Sequence, residues 1–133
     1  MKPKFIKKIP YDVEVLAKLT IDSANIVYDK LGPGLKEKTY EKCLAREFGK
    51  KGLSVKRQID LPVIYDGEDI DDTYRVDMII ENKLIIEIKT VERLVPLHRL
   101  QVLTYLKISG IRLGLLINYN TGALTDSIER IRL

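Results

Sequence analysis

The sequence predicts an α/β sandwich, a central mixed β-sheet flanked by helices in the order α-α-β-β-β-α-β-β. Three observations predict it. Two stretches of helical period open the chain, a run of alternating residues broken by turn signals fills its middle, and a helix-length segment followed by short apolar runs closes it. At 133 residues the chain has the size of one domain, roughly 100–150 residues. A single domain over 1–133 is therefore expected, with residues 1–11 as a basic amino-terminal extension carrying Lys2, Lys4, Lys7 and Lys8.

In the first helix Leu16, Leu19, Ala24, Val27, Tyr28 and Leu31 recur at helical spacing, with Asp12 as the expected N-cap. The helix should run over 12–31 and stop at Gly32-Pro33-Gly34, where proline lacks a donor and glycine tolerates a helix end. A second helix is expected over 35–51. At 100° per residue Glu37, Tyr40, Glu41, Leu44 and Phe48 share one side, and Lys38, Lys42, Arg46 and Lys50 lie opposite. Two carboxylates thus sit on or beside an apolar stripe, and a buried carboxylate needs a cation or a donor. Edge positions reaching solvent would satisfy them equally well. The basic stripe is either a solvated face or a track for phosphates.

Past Gly52 the chain becomes extended. Ile59, Leu61, Val63 and Tyr65 alternate with polar neighbours, and Pro62 marks an edge strand or a bulge. Asp66-Gly67-Glu68 turns the chain towards Thr73, with Asp71 and Asp72 expected as surface charge before the next strand. That strand and its successor form a hairpin. A three-residue loop, Glu81-Asn82-Lys83, with Asn82 or Lys83 left-handed, pairs Ile80 with Leu84, Met78 with Ile86 and Val76 with Ile88 on one apolar face. The other face then pairs Ile79 with Ile85, Asp77 with Glu87, and Arg75 with Lys89. Two adjacent carboxylates repel unless a cation lies between them. A hard ion such as Mg²⁺, which takes one or two carboxylates and several waters, suits the pair. A solvated face on which Asp77, Glu87 and Lys89 neutralise one another suits it too.

Val95-Pro96 opens a third helix, over 97–109, ended by Gly110. His98, Gln101 and Tyr105 line one of its faces, while Leu100, Leu103 and Leu106 lie around the rest, so the helix should be largely enclosed. Its polar face needs partners, either backbone groups or the Asp77, Glu87 and Lys89 cluster, and His98 reads as a helix-start residue before it reads as a ligand. A buried strand over 111–118, a turn at Asn120-Thr121-Gly122 and a short last strand over 127–133 complete the order.

Net charge is +4 and the isoelectric point near 9.1, a mild excess that favours polyanions as partners. No stretch approaches the roughly 20 apolar residues of a membrane span, and none has the form of a signal peptide. Cytoplasmic placement is expected. The single Cys43 cannot form an internal disulfide and, with His98 far along the chain, is expected to be structural.

An Asp, then Glu-x-Lys on the next strand, preceded by a Glu-bearing helix and followed by a helix with Gln, resembles the PD-(D/E)XK nuclease superfamily. Gly34-Leu-Lys-Glu37-Lys-Thr-Tyr40 resembles the motif that names its GxxExxY proteins, and Tyr74-Arg-Val-Asp77, Glu87-Ile-Lys89, Gln101-Val-Leu-Thr-Tyr105 and Gly114-Leu-Leu-Ile-Asn118 fit the same pattern. The resemblance implies a restriction-endonuclease-like sandwich acting as a metal-dependent nuclease on nucleic acid, with DNA the favoured form. Asp77 and Glu87 would ligate Mg²⁺ or Mn²⁺, and Lys89 would activate the attacking water. Gln101 would position Lys89 or that water, with Tyr105 supporting. Glu41 is the expected helix carboxylate and Glu37 the close alternative. Tyr40, Arg75 and His98 complete the supporting set, and Lys38, Lys42, Arg46 and Lys50 would hold phosphates. Two rival readings stand beside it: a non-catalytic nucleic-acid-binding module on the same fold, and a protein-interaction or assembly domain. A homodimer through the first helix or the last strand is left open.

Overall fold

The structure, a computed structural model, describes residues 8–133. Of the lysines in the amino-terminal extension, Lys2, Lys4 and Lys7 lie outside the described residues, and Lys8 is exposed. The elements are α1 (Tyr11–Leu31), α2 (Glu37–Lys50), β1 (Val55–Tyr65), β2 (Glu68–Ile80), β3 (Leu84–Lys89), α3 (Pro96–Ser109), β4 (Leu113–Asn118), a 3₁₀ turn (Leu124–Ser127) and β5 (Ile128–Arg132). The sheet follows chain order, β1-β2-β3-β4-β5. Only β3 and β4 run parallel, joined by the crossover through α3; the other pairs are antiparallel. This is the expected mixed α/β sandwich.

Each layer follows from the sequence pattern. The buried side of α1, including Leu16, Ala24 and Val27, meets Tyr40, Leu44 and Phe48 of α2. Both lie over Met78, Ile80, Leu84, Ile86, Ile88, Leu115 and Ile117 on one sheet face. α3 covers the opposite face with Val102, Tyr105 and Leu106 against Ile79, Ile85 and Leu116. β3 and β4, covered on both sides, are apolar almost throughout, as strands buried on both faces should be. Among the described residues no helix is long and apolar enough to cross a membrane.

Several local expectations change. The residue before α1 is Pro10, and Asp12 lies in the first turn, where it accepts from the Lys83 ammonium at 2.8 Å. The hairpin loop has its expected length and Asn82 is left-handed as expected, but Glu81 is left-handed too, and Lys83 N donates to Ile80 O. β2 begins at Glu68, so Asp71 and Asp72 lie within the strand, exposed as expected. β1 is the edge strand that Pro62 implied, with its register shift between Pro62 and Ile64. α3 is only half enclosed: Leu97 and Leu100 are 64% and 56% exposed, because only the side facing the sheet has anything to pack against.

Candidate active site

The β2–β3 ladder runs through Ile80–Leu84, Ile79–Ile85 and Met78–Ile86, as the alternation dictated, and then stops. The expected backbone pairs beyond it do not form. Val76 packs in the α3 layer whereas Ile88 packs in the α1/α2 layer. Arg75, expected opposite Lys89, turns to the exposed edge and pairs with Asp60 of β1 at 3.0 Å.

Side chains take over where the ladder ends. Ile88 N donates to Asp77 Oδ2 at 2.9 Å, and Asp77 N donates to Glu87 Oε1 at 3.4 Å. The two carboxyls therefore face each other across the gap between the strands. Lys89 Nζ lies 3.7 Å from Glu87 Oε2, with only 18% of its side chain exposed. Burial, followed by the charge of Asp77, pushes the Glu87 carboxyl up to about 8, against the opposing pull of Lys89. Asp77 is raised as well, by burial ahead of the nearby Glu41 and Glu37 carboxylates, although the Ile88 N–H partly offsets this.

α2 supplies the third carboxylate. Glu41 is 3% exposed. Its Oε2 accepts from Arg57 Nη2 at 2.7 Å and Nε at 3.1 Å, and its Oε1 accepts from Gln58 Nε2 at 2.5 Å. The same Gln58 amide donates to Asp77 Oδ1 at 3.4 Å, so it bridges the helix carboxylate to the strand carboxylate. Glu37 is exposed and does different work: its Oε2 accepts from Thr90 N at 3.1 Å and fixes the chain just past Lys89. Asn118 clamps the next residue, its Oδ1 accepting from Val91 N at 3.1 Å and its Nδ2 donating to Val91 O at 2.9 Å.

Tyr40 lies in the core, away from the acids. Stacked on Tyr119 at 4.2 Å, it donates to Gly32 O at 2.6 Å and accepts from Leu35 N, pinning the α1–α2 loop. On α3, Tyr105 is buried, and its hydroxyl is pushed up to about 12 by burial and then by Glu87 and Asp77, so it stays protonated beside them. Gln101, one turn earlier on that face, holds the one buried side-chain polar atom without a hydrogen-bond partner among the described residues, its Oε1. His98 Nδ1 accepts from Val95 N at 3.1 Å, so it caps α3 and is not placed as a ligand. On the outer side of α2, Lys38, Lys42, Arg46 and Lys50 are all exposed, but Lys50 is already paired with Glu47 at 2.9 Å. Cys43 is free and half-buried, as expected.

Arg57, Gln58 and Asn118 were not singled out for roles from the sequence. Gln58 and Arg57 carried one usable signal, polar residues inside a strand run, but their partner Glu41 lies on a helix and nothing local links them. Among the described residues no group of three or more His, Cys, Asp or Glu side chains is clustered so as to cage a metal by itself. What the gap offers is a buried carboxyl, Glu87, beside a half-buried one, Asp77, both with a raised affinity for protons, chiefly because burial disfavours their charged forms. That donor set fits a hard divalent ion completed by waters, not a soft or fully protein-caged one.

A family model described as the PD-(D/E)XK nuclease superfamily matches residues 14–131. Among solved structures, the crystal structure of SSO0001 is similar in fold, with a TM-score of 0.50 and 16% identity over 89% of this chain and 77% of that one. No curated protein matches significantly. The family match takes in most of α1, all of α2 and α3, and nearly the whole sheet, and the chain belongs to the PD-(D/E)XK nuclease superfamily.

Proposed function

We propose that this protein is a Mg²⁺- or Mn²⁺-dependent phosphodiesterase that cleaves nucleic acid, with DNA as its substrate, and that it belongs to the GxxExxY branch of its superfamily. The observation that carries the reading is the gap at the end of the β2–β3 ladder. There the half-buried Asp77 and the buried Glu87 replace backbone pairing with two mutually opposed carboxyls, and Lys89 lies 3.7 Å from Glu87. A purely structural strand end gains little from setting two acids against each other, since burial disfavours the charged form of both.

Asp77 and Glu87 are the residues that would hold the ion. When bound, the ion polarises the phosphate and lowers the pKa of an attacking water. Lys89 stabilises the negative charge that grows on the phosphate oxygens, a contribution that is largest where water is excluded. Gln101, whose buried Oε1 has no other hydrogen-bond partner among the described residues, positions Lys89 or the water, and Tyr105, kept protonated, serves as a donor beside the acids. Glu41 is the helix carboxylate of the site, supported by its burial and by its link to Asp77 through Gln58. The GxxExxY assignment is supported by what the motif does: Glu37 and Tyr40 tie the start of α2 to the end of β3 and to the preceding loop. Lys38, Lys42 and Arg46 are suited to holding backbone phosphates, which gives affinity without sequence reading.

The test is cleavage of labelled single- and double-stranded DNA and RNA under Mg²⁺ and Mn²⁺, wild type beside Lys89→Ala. Metal-dependent cutting by wild type, reduced at least about 100-fold in the variant, supports the reading. Salt-dependent binding with no cutting would favour the non-catalytic module instead.

A further inference from the structure

Gln58 has a backbone conformation that its place in the sheet does not explain. It sits in the middle of β1 with φ of 50°, in the left-handed region that a non-glycine residue enters only under constraint. The ladder with β2 pairs Arg57 with Met78 and Ile59 with Val76, skipping Gln58 and Asp77. The register is the same on either side, so no residue has been inserted and the irregularity is not a bulge. The bulge that breaks this edge strand lies elsewhere, between Pro62 and Ile64. What Gln58 gains is its pair of side-chain contacts: Nε2 donates to Glu41 Oε1 at 2.5 Å and to Asp77 Oδ1 at 3.4 Å.

We infer that Gln58 is a positioning residue for the nuclease reaction, holding Glu41 and Asp77 together across the α2–sheet boundary with an uncharged bridge; the inference rests on the nuclease reading above. The chemistry of the amide explains the choice of residue. Its NH₂ group offers two N–H donors to two carboxylates. Because it is neutral, it links them without placing a cation on Asp77, whose charge an incoming divalent ion requires; the cation on Glu41, Arg57, contacts only the other oxygen of that carboxylate. A lysine there would act as a built-in counter-ion and compete with the metal, and a glutamate would add a further repulsion. Arg57 holds the other Glu41 oxygen, so Glu41 is fixed from both sides, and Gln58 connects it to Asp77.

The test is Mn²⁺ binding by calorimetry, with melting in chelator as a second readout, on wild type, Gln58→Gly, Gln58→Lys and Asp77→Asn. Gln58→Gly removes the backbone constraint together with the amide. It is expected to melt in chelator no lower than wild type yet bind Mn²⁺ at least about tenfold more weakly, the size of effect seen when groups orienting a ligand are lost. Gln58→Lys is expected to show no measurable Mn²⁺ binding and a raised melting temperature in chelator. If Gln58 merely occupies a left-handed position, glycine replaces it without loss, and Mn²⁺ affinity equal to wild type in Gln58→Gly would overturn the inference. Failure of wild type itself to bind Mn²⁺, or unchanged binding in Asp77→Asn, would overturn the nuclease reading and this inference with it.

Discussion

Glu87 is a carboxyl that the folded chain holds near 8 and the unfolded chain releases near 4.5. Between those values the folded state keeps a proton that the unfolded state has lost, so stability is full below about pH 4.5 and falls as pH rises towards 8. Asp77 shifts in the same direction. Acids shifted the opposite way, such as Asp12, Glu14, Asp60 and Glu129, are paired with cations and change protonation below this window. Metal-free protein in chelator is therefore expected to be less stable at pH 8 than at pH 5.5 by roughly 2–4 kcal/mol. Denaturant melts across that range check it, and Glu87→Gln should flatten most of the slope. The closeness of Asp77 to Glu87 was legible because the register set by Met78–Ile86 brings them to the same end of the hairpin; the break in the two-residue period there, with Val76 and Met78 in opposite layers, was not. Gln58 was not legible, since glutamine has no preference for the left-handed region and its partners lie 17 and 19 positions away in sequence.

The elements hold the site through a few close approaches. Gly114 of β4 marks one: a Cβ added there would stand 2.5 Å from Val102 Cγ1 of α3. A β-branched side chain on a packed helix cannot swing aside, so α3 would have to move away from the sheet. Gly114→Ala is expected to destabilise the protein by about 1–3 kcal/mol, and Gly114→Ala with Val102→Ala should recover part of that loss, a coupling read from a double-mutant melting cycle. Moving α3 also moves Gln101 and Tyr105, so metal-dependent activity should fall further than stability alone explains. The helices, the hairpin loop and the edge position of β1 were legible from periodicity, glycine and proline. The enclosure of α3 was not, because Leu97 and Leu100 continue the helical hydrophobic pattern around a side that the sheet never reaches.

Among the described residues charge is unevenly spread. The β1–β2 arm carries exposed Asp60, Asp66, Glu68, Asp69, Asp71 and Asp72, whereas the outer side of α2 carries Lys38, Lys42 and Arg46. A polyanion is repelled from the first and drawn to the second, so nucleic acid should approach from the α2 side. Replacing Lys38, Lys42 and Arg46 together by alanine is expected to reduce the slope of log affinity against log salt by roughly 2–3 for duplex DNA, measured by fluorescence anisotropy; an unchanged slope would place the phosphates elsewhere. The net charge of +4 pointed to polyanions but could not show this division, which depends on which strands project beyond the sheet's packed layers. Convergence of Asp77 and Glu87 on one divalent ion is read by anomalous diffraction from crystals grown with Mn²⁺. A Mn²⁺ peak bounded by those two carboxylates at about 2.0–2.3 Å from their oxygens is expected; a map with no peak in that gap, or with Lys89 occupying it, would rule out the metal site.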